Sequence, residues 1–315
     1  MEYPWKSERR FNTYTAFLQE KFGARVQKLS INAGFTCPNR DGTVGTGGCI
    51  FCDNEAFSPS YTTKDKSVSQ QITEGMEFHS KRYKTDKFFA YFQTYSNTYA
   101  PLEKLKTVYE EALAFENVVG LIINTRPDCV DDEKLDYLAE LSKERYVMIE
   151  YGLESCHDKT LKVINRGHNF ETAVEALEKT RERGIPVGAH IVFGLPGETY
   201  EDMYKMIDIL NKLPIDNVKF HQLQVIKGTK LELLFQIYPK QISNFPTYES
   251  YLAFFIPALE RLNPNIKIQR VAGEVKKNTI VYPHWGNLRY DQMLNLFEKE
   301  LERQNTWQGR LYMGS

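Results

Sequence analysis

Cys37-Pro-Asn-Arg-Asp-Gly-Thr-Val-Gly-Thr-Gly-Gly-Cys49-Ile-Phe-Cys52 is the stretch on which the rest of the chain depends. Three sulfur donors lie on one Gly-rich loop in a C-x11-C-x2-C pattern. Three thiolates can hold three irons of a [4Fe–4S] cube. No fourth cysteine stands nearby, so one iron would stay open for a small molecule to chelate. Gly42, Gly45, Gly47 and Gly48 let the backbone wrap closely around a bulky inorganic core. Zinc is the rival reading of these donors. A structural zinc site wants a fourth ligand, and no further Cys or His lies in or just after the loop.

The bulk properties narrow the class. The chain has 315 residues, 42% hydrophobic and 26% charged, as an ordinary soluble globular protein would be. No basic segment leads into an N-terminal apolar run, and no apolar stretch is long enough to span a bilayer. Five cysteines, three of them in one loop, suit a reducing cytosol and metal binding better than disulfides. Forty basic and 41 acidic residues give a net charge of −1. A protein that grips a tRNA body usually shows a basic surplus or a basic appendage, and neither is present.

Around the loop, strands and helices alternate. Strands are expected at 27–31, 88–92, 118–124, 146–151, 186–193 and 218–226. Helices are expected at 68–83, after Pro101, after the caps Asp131 and Asn169, and after the capping box Thr199–Asp202. Six β units with helical crossovers predict an α/β fold, a parallel barrel that six units leave open on one side. Ligands then belong at the C-terminal ends of the strands. Residues 1–26 read as an extension packed on the barrel and 27–226 as the barrel. Residues 227–315, with helices at 248–262 and 290–303 and a short strand at 266–271, read as an α+β lid of the same globular unit.

The cysteine loop, with Phe51 between the last two thiols, resembles that of radical S-adenosylmethionine (SAM) enzymes, in the YhcC-like group close to the Elongator catalytic-subunit class. The resemblance covers about residues 27–312 and implies a partial (β/α)6 radical SAM barrel with a [4Fe–4S] cluster on Cys37, Cys49 and Cys52. It also implies that SAM chelates the open iron and is cleaved by one electron to a 5′-deoxyadenosyl radical that abstracts hydrogen from the substrate. In the family the side chain at Phe51 touches the SAM adenine.

The strand ends then acquire expected roles. Gln93 and Thr94 would bind the SAM amino group. Arg126, in Asn124-Thr-Arg-Pro-Asp128, would pair a carboxylate through its planar fork, against the plain alternative of an Arg–Asp pair fixing a loop. Glu154 or Ser155 would reach the ribose, and Arg166 would lie near the SAM carboxylate. In His190-Ile-Val-Phe-Gly-Leu-Pro-Gly-Glu198, Ile191 would pack on the adenine and Gly194 would let the backbone approach. His190 and His221 lie on strands whose ends face the predicted site. Arg270 and Glu274 face the barrel mouth by family resemblance, although an Arg–Glu pair fixing a turn is the plainer reading. Glu150 needs a partner if it is buried, and Cys129 and Cys156 read as structural.

Relatives of this kind fragment the amine of an aminomethyl-bearing nucleobase. One releases an aminomethyl-deazaguanine from the free base queuine; another trims a carboxymethyl group from a wobble uridine of tRNA. The charge balance favours the small modified nucleobase, with tRNA as the alternative and a SAM-binding regulator without turnover as a third reading. A reductant such as flavodoxin or ferredoxin is expected, and no membrane.

Overall fold

The computed structural model describes residues 3–314 apart from 81, 82, 243, 277 and 287. Its strands are β1 (Val26–Ile31), β2 (Lys87–Phe92), β3 (Val118–Thr125), β4 (Tyr146–Glu154), β5 (Val187–Phe193), β6 (Asn217–Gln222), β7 (Val225–Ile226), β8 (Lys267–Arg270) and β9 (Ile280–Tyr282). Seven form one parallel sheet in the order β1-β2-β3-β4-β5-β6-β8, a curled half-barrel; β7 and β9 pair separately and antiparallel. The six expected units therefore stand, except that the strand expected at 218–226 leaves the sheet after Gln222 and Val225–Ile226 pair with β9 instead; β8 extends the sheet from the C-terminal part of the chain.

The helices form where local chemistry satisfies their first amides. Asp131 accepts from Lys134 N, Asn169 from Thr172 N, and Thr199 with Asp202 closes a capping box. The helix after the cysteine loop is described over Val68–Ser80; the remainder of the expected 68–83 span includes residues 81 and 82, outside the described residues. Among the described residues, no helix is long and apolar enough to cross a membrane.

Strand alternation sorts the side chains onto two faces. Leu29, Ile31, Ala90, Phe92, Leu121, Ile123, Ile149, Ala189, Ile191, Val218 and Phe220 belong to the large apolar core shared with the flanking helices. The intervening residues point into the half-barrel. There the N-terminal helix Tyr14–Phe22 contributes Tyr14 and Leu18 to a separate cluster with Phe89, Tyr91, Ile122 and Met148, which plugs the base of the lumen. Thr13 bridges Ile268, so the N-terminal segment also covers the outer edge of β8.

Candidate active site

Above the apolar plug lies a layer of charged and polar groups contributed by β1, β2, β4, β5, β6 and β8. Glu150 on β4 is fully buried. Its carboxylate accepts from Lys28 Nζ at 2.8 Å, Tyr91 Oη at 2.9 Å, His190 Nε2 at 2.8 Å and Gln269 Nε2 at 2.8 Å. Burial alone pushes this carboxyl upward, but Lys28, Lys219 and His190 overcome it and hold Glu150 well below its ordinary range. The partner that the sequence reading required is thus a set of four donors.

Lys219 on β6 completes the layer, with Nζ 2.8 Å from Tyr91 Oη and 3.9 Å from Glu150 Oε2. Burial, together with Lys28 and Arg270, lowers it to about 7 against the pull of Glu150. His190 falls to about 4 through burial and Lys219, and His221 falls well below its ordinary value through burial, Arg270 and Lys219. Both imidazoles are therefore neutral at physiological pH. Because ionised Glu150 can only accept, His190 carries its proton on Nε2 and presents Nδ1 as an acceptor.

The charged layer is the floor of a cavity of about 510 Å³ at the C-terminal ends of the strands. Lys28, Tyr91, Gln93, Thr94, Glu154, His190, Lys219, His221, Gln269, Arg270 and Glu274 all line it, as does Phe51 from the cysteine loop. Arg270 and Glu274 are not paired with each other. Glu274 accepts from the Tyr290 amide at 3.1 Å, while the Arg270 guanidinium sits 5.5 Å from the Tyr290 ring centroid.

A smaller cavity of about 110 Å³ adjoins the first and is lined by Cys37, Cys49 and Cys52 together with Phe51, Gln93, Arg126, Glu154, Arg166 and His190. The loop is held by Arg40 Nη2 to Cys52 O at 2.8 Å, Asn165 Nδ2 to Gly48 O at 2.8 Å and Ile50 N to Ile164 O at 3.0 Å. Gly48, at φ +75°, leaves no room for a Cβ, which would lie 2.8 Å from Arg40 Nε. Burial and the neighbouring Cys49 push the Cys52 thiol up to about 11. Arg166 Nη1 lies 3.6 Å from Cys49 Sγ, and its buried Nε has no hydrogen-bond partner.

These residues fit an iron–sulfur cluster. Three thiols around one cavity, an arginine beside them and an orphaned N–H match a thiolate-ligated, negatively charged core. Among the described residues, no three His, Cys, Asp or Glu side chains converge closely enough to hold a single metal ion. A cube spreads its ligands more widely than one ion does.

Not every expected residue reaches a cavity. Ile191 lies in the apolar core under the helices, while its neighbours His190 and Val192 face the larger cavity. Ser155 is buried and donates to Glu198 Oε1 at 2.5 Å. Gly194, at φ +85°, packs against Phe245. Arg126 lines the smaller cavity, but Asp128 occupies its fork at 2.8 and 2.6 Å, and its Nη1 donates to Arg166 O at 2.8 Å. Glu154 stands at φ +65° beside a register shift between β4 and β5, 3.6 Å from Arg166 Nη2, and burial raises its carboxyl. Cys129 and Cys156 are buried away from both cavities.

The sequence reading missed Lys28, Tyr91, Lys219 and Gln269. A usable signal existed: Lys28 and Lys219 stand at inward positions of strands whose outward residues Leu29 and Ile31 on β1 and Val218 and Phe220 on β6 are apolar, and a lysine there needs a buried partner.

Comparison with known proteins agrees with this architecture. YtqA of Bacillus subtilis is 35% identical over 306 residues, covering 97% of this chain and 94% of the relative. YhcC of Escherichia coli is 32% identical over 286 residues, covering 90% of each. The solved structure of the archaeal Methanocaldococcus infernus Elp3 with an N-terminal deletion shares the fold, with a TM-score of 0.68 at 18% identity, over 90% of this chain and 64% of that one. The profile of the radical SAM C-terminal domain matches residues 215–303, and that of the radical SAM superfamily matches residues 36–210. With its cysteine loop at the mouth of a parallel half-barrel, this chain belongs to the radical SAM superfamily, whose cofactors are a [4Fe–4S] cluster and SAM.

Proposed function

We propose that this radical SAM enzyme breaks the C–N bond of a secondary amine on a free modified nucleobase, with queuine as substrate and an aminomethyl-7-deazaguanine as released product. The observation that carries this reading is the 510 Å³ cavity, polar-floored and of small-ligand size, directly beside the cysteine loop. The near-neutral charge of the chain points the same way.

Cys37, Cys49 and Cys52 would hold three irons. Phe51, Gln93, Thr94, Glu154 and Arg166 are the proposed SAM contacts; Arg126 acts in this reading by fixing Arg166 and Asp128. The cluster and SAM supply a 5′-deoxyadenosyl radical, a strong abstractor of hydrogen atoms. The remaining work falls to the chain. Arg270 offers a planar donor fork and Glu274 a carboxylate, which complement the carbonyl and the N–H groups along a guanine-type edge. His190 and His221, both neutral, border the substrate without adding charge. The enclosing walls keep water and thiols away from a reactive centre. Flavodoxin or ferredoxin is the proposed electron source.

The test is anaerobic cluster reconstitution followed by SAM and dithionite with queuine, or with bulk tRNA, read by mass spectrometry. The expected result is 5′-deoxyadenosine that rises with queuine alongside the aminomethyl-deazaguanine. A rise only with tRNA, with a wobble uridine losing its carboxymethyl mass, would contradict the proposal and move the substrate to RNA.

A further inference from the structure

The cavity floor holds more cations than its carboxylate can neutralise. Lys28, Lys219 and Arg270 gather around Glu150, with Tyr91, His190 and His221 as the other titratable neighbours; Asp53, Glu154 and Glu274 are further acids lining the same cavity. Tyr14, from the N-terminal helix, closes the layer from below, its ring 5.6 Å from Lys28 Nζ.

The cations are not equivalent. Lys28 is paired directly with Glu150 at 2.8 Å and also bonds Gln269 at 2.6 Å. Arg270 lies toward Tyr290, its guanidinium 5.5 Å from that ring's centroid. Lys219 is 3.9 Å from Glu150, beyond hydrogen-bonding distance, and spends one of its three N–H groups on Tyr91. Tyr91 is held as a neutral phenol, its pKa pushed up chiefly by burial and then by Glu150, and its O–H donates a hydrogen bond to Glu150 at 2.9 Å. The Lys219–Tyr91–Glu150 chain therefore fixes the ammonium in place while leaving its other N–H groups free toward the cavity it lines.

We propose that Lys219 is the proton-transfer group of the reaction, its Nζ handing a proton to the substrate nitrogen at the C–N bond to be broken. This rests on the amine-cleaving reading above. The Nζ–H bond breaks and a substrate N–H bond forms. The C–N bond then breaks with its electron pair on nitrogen, releasing a neutral amine and leaving the positive charge and the unpaired electron on the carbon fragment, which one electron from the reductant closes. The neutral lysine recovers its proton from solvent. A protonated nitrogen leaves as an amine and not as a strongly basic amide anion. A proton held at about 7, where burial and two other cations oppose the charge, is cheap to give at neutral pH. Tyr91 and Glu150 are positioning residues.

The experiment compares wild type, K219M and K219R, with K219A kept for chemical rescue, each loaded with cluster and SAM, reading aminomethyl-deazaguanine and 5′-deoxyadenosine separately. In both variants product formation falls by about 10²–10⁴-fold, the range of general acid catalysis, while 5′-deoxyadenosine falls far less, so the two uncouple. Wild-type product per 5′-deoxyadenosine declines as pH rises through about 7, the K219M ratio is flat, and added methylamine partly restores K219A. If K219R matches wild type, or if product and 5′-deoxyadenosine fall together in K219M and methylamine does not restore K219A, Lys219 is structural and the assignment is overturned. A wild-type enzyme that releases no amine from queuine overturns the lyase reading and this assignment with it; queuine binding to the unloaded protein, expected to be similar in K219R and wild type, provides a readout independent of turnover.

Discussion

Replacing any one of Cys37, Cys49 or Cys52 with serine removes iron and sulfide from the reconstituted protein and takes SAM cleavage to background. A serine oxygen is a harder donor, and its proton is far more tightly held than that of a thiol, so it cannot replace a thiolate on a soft iron–sulfur core. Among the described residues these are the cysteines that line the 110 Å³ cavity. C129A and C156A are the controls. Both side chains are buried elsewhere, and burial first, with Asp128 second, pushes the Cys129 thiol up to about 12, so neither stands ready as a replacement ligand. The serine variants should unfold at the same denaturant midpoint as the unloaded wild type, because the loop is held by Arg40, Asn165 and Ile50 rather than by sulfur. A serine variant that keeps its iron and cleaves SAM would contradict the assignment.

The second large effect belongs to Glu150→Gln. Its four donors and the nearby Lys219 make this carboxylate the counter-charge for the whole cavity floor. Removing it leaves Lys219 buried and Lys28 partly buried without an anion, which costs about 3–5 kcal/mol, measured by denaturant unfolding. Adding K28M to E150Q should recover part of that loss, since one stranded cation is then gone. A loss below about 1 kcal/mol would show that water already solvates the floor and the layer is not closed.

The pH dependence follows from the same group. Glu150 has a folded-state pKa depressed well below its ordinary 4.5, so the unfolded chain binds the proton more readily. Its contribution is complete above about 4.5 and is lost as pH falls through the lower, folded value. E150Q removes that acid limb. Lys219 acts in the opposite range: with its pKa lowered from 10.5 to about 7, the unfolded state binds more protons between these values, and stability rises with pH across that window.

What the chain reveals before folding depends on how local the chemistry is. The cysteine loop, the caps at Asp131, Asn169 and Thr199, and the six alternating units are local patterns, and the structure contains all of them. The seventh sheet strand was harder to place, because Lys267–Arg270 is short and mostly polar and joins β6 only after the helix Tyr248–Arg261 has crossed back. The charged floor is less legible still. Lys28 and Glu150 are 122 residues apart, and Lys219 and Tyr91 are 128 apart, so only the curled sheet brings them together. Ile191 shows the limit of reading from motif resemblance. His190 and Val192 face the larger cavity, and a strand that alternates cannot present the residue between them to the same side. Arg126 was open between a ligand role and a loop-fixing role, and in the folded chain Asp128 fills its fork.

The most direct test of hydrogen abstraction from a nucleobase amine is isotope transfer. Queuine deuterated on the carbons of its ring substituent next to and bearing the amine nitrogen is incubated anaerobically with the loaded enzyme, SAM and dithionite, and the 5′-deoxyadenosine is weighed by mass spectrometry. The proposed function predicts one deuterium in the 5′-deoxyadenosine, formed together with the aminomethyl-deazaguanine. Unlabelled 5′-deoxyadenosine, with queuine returned intact, would contradict it.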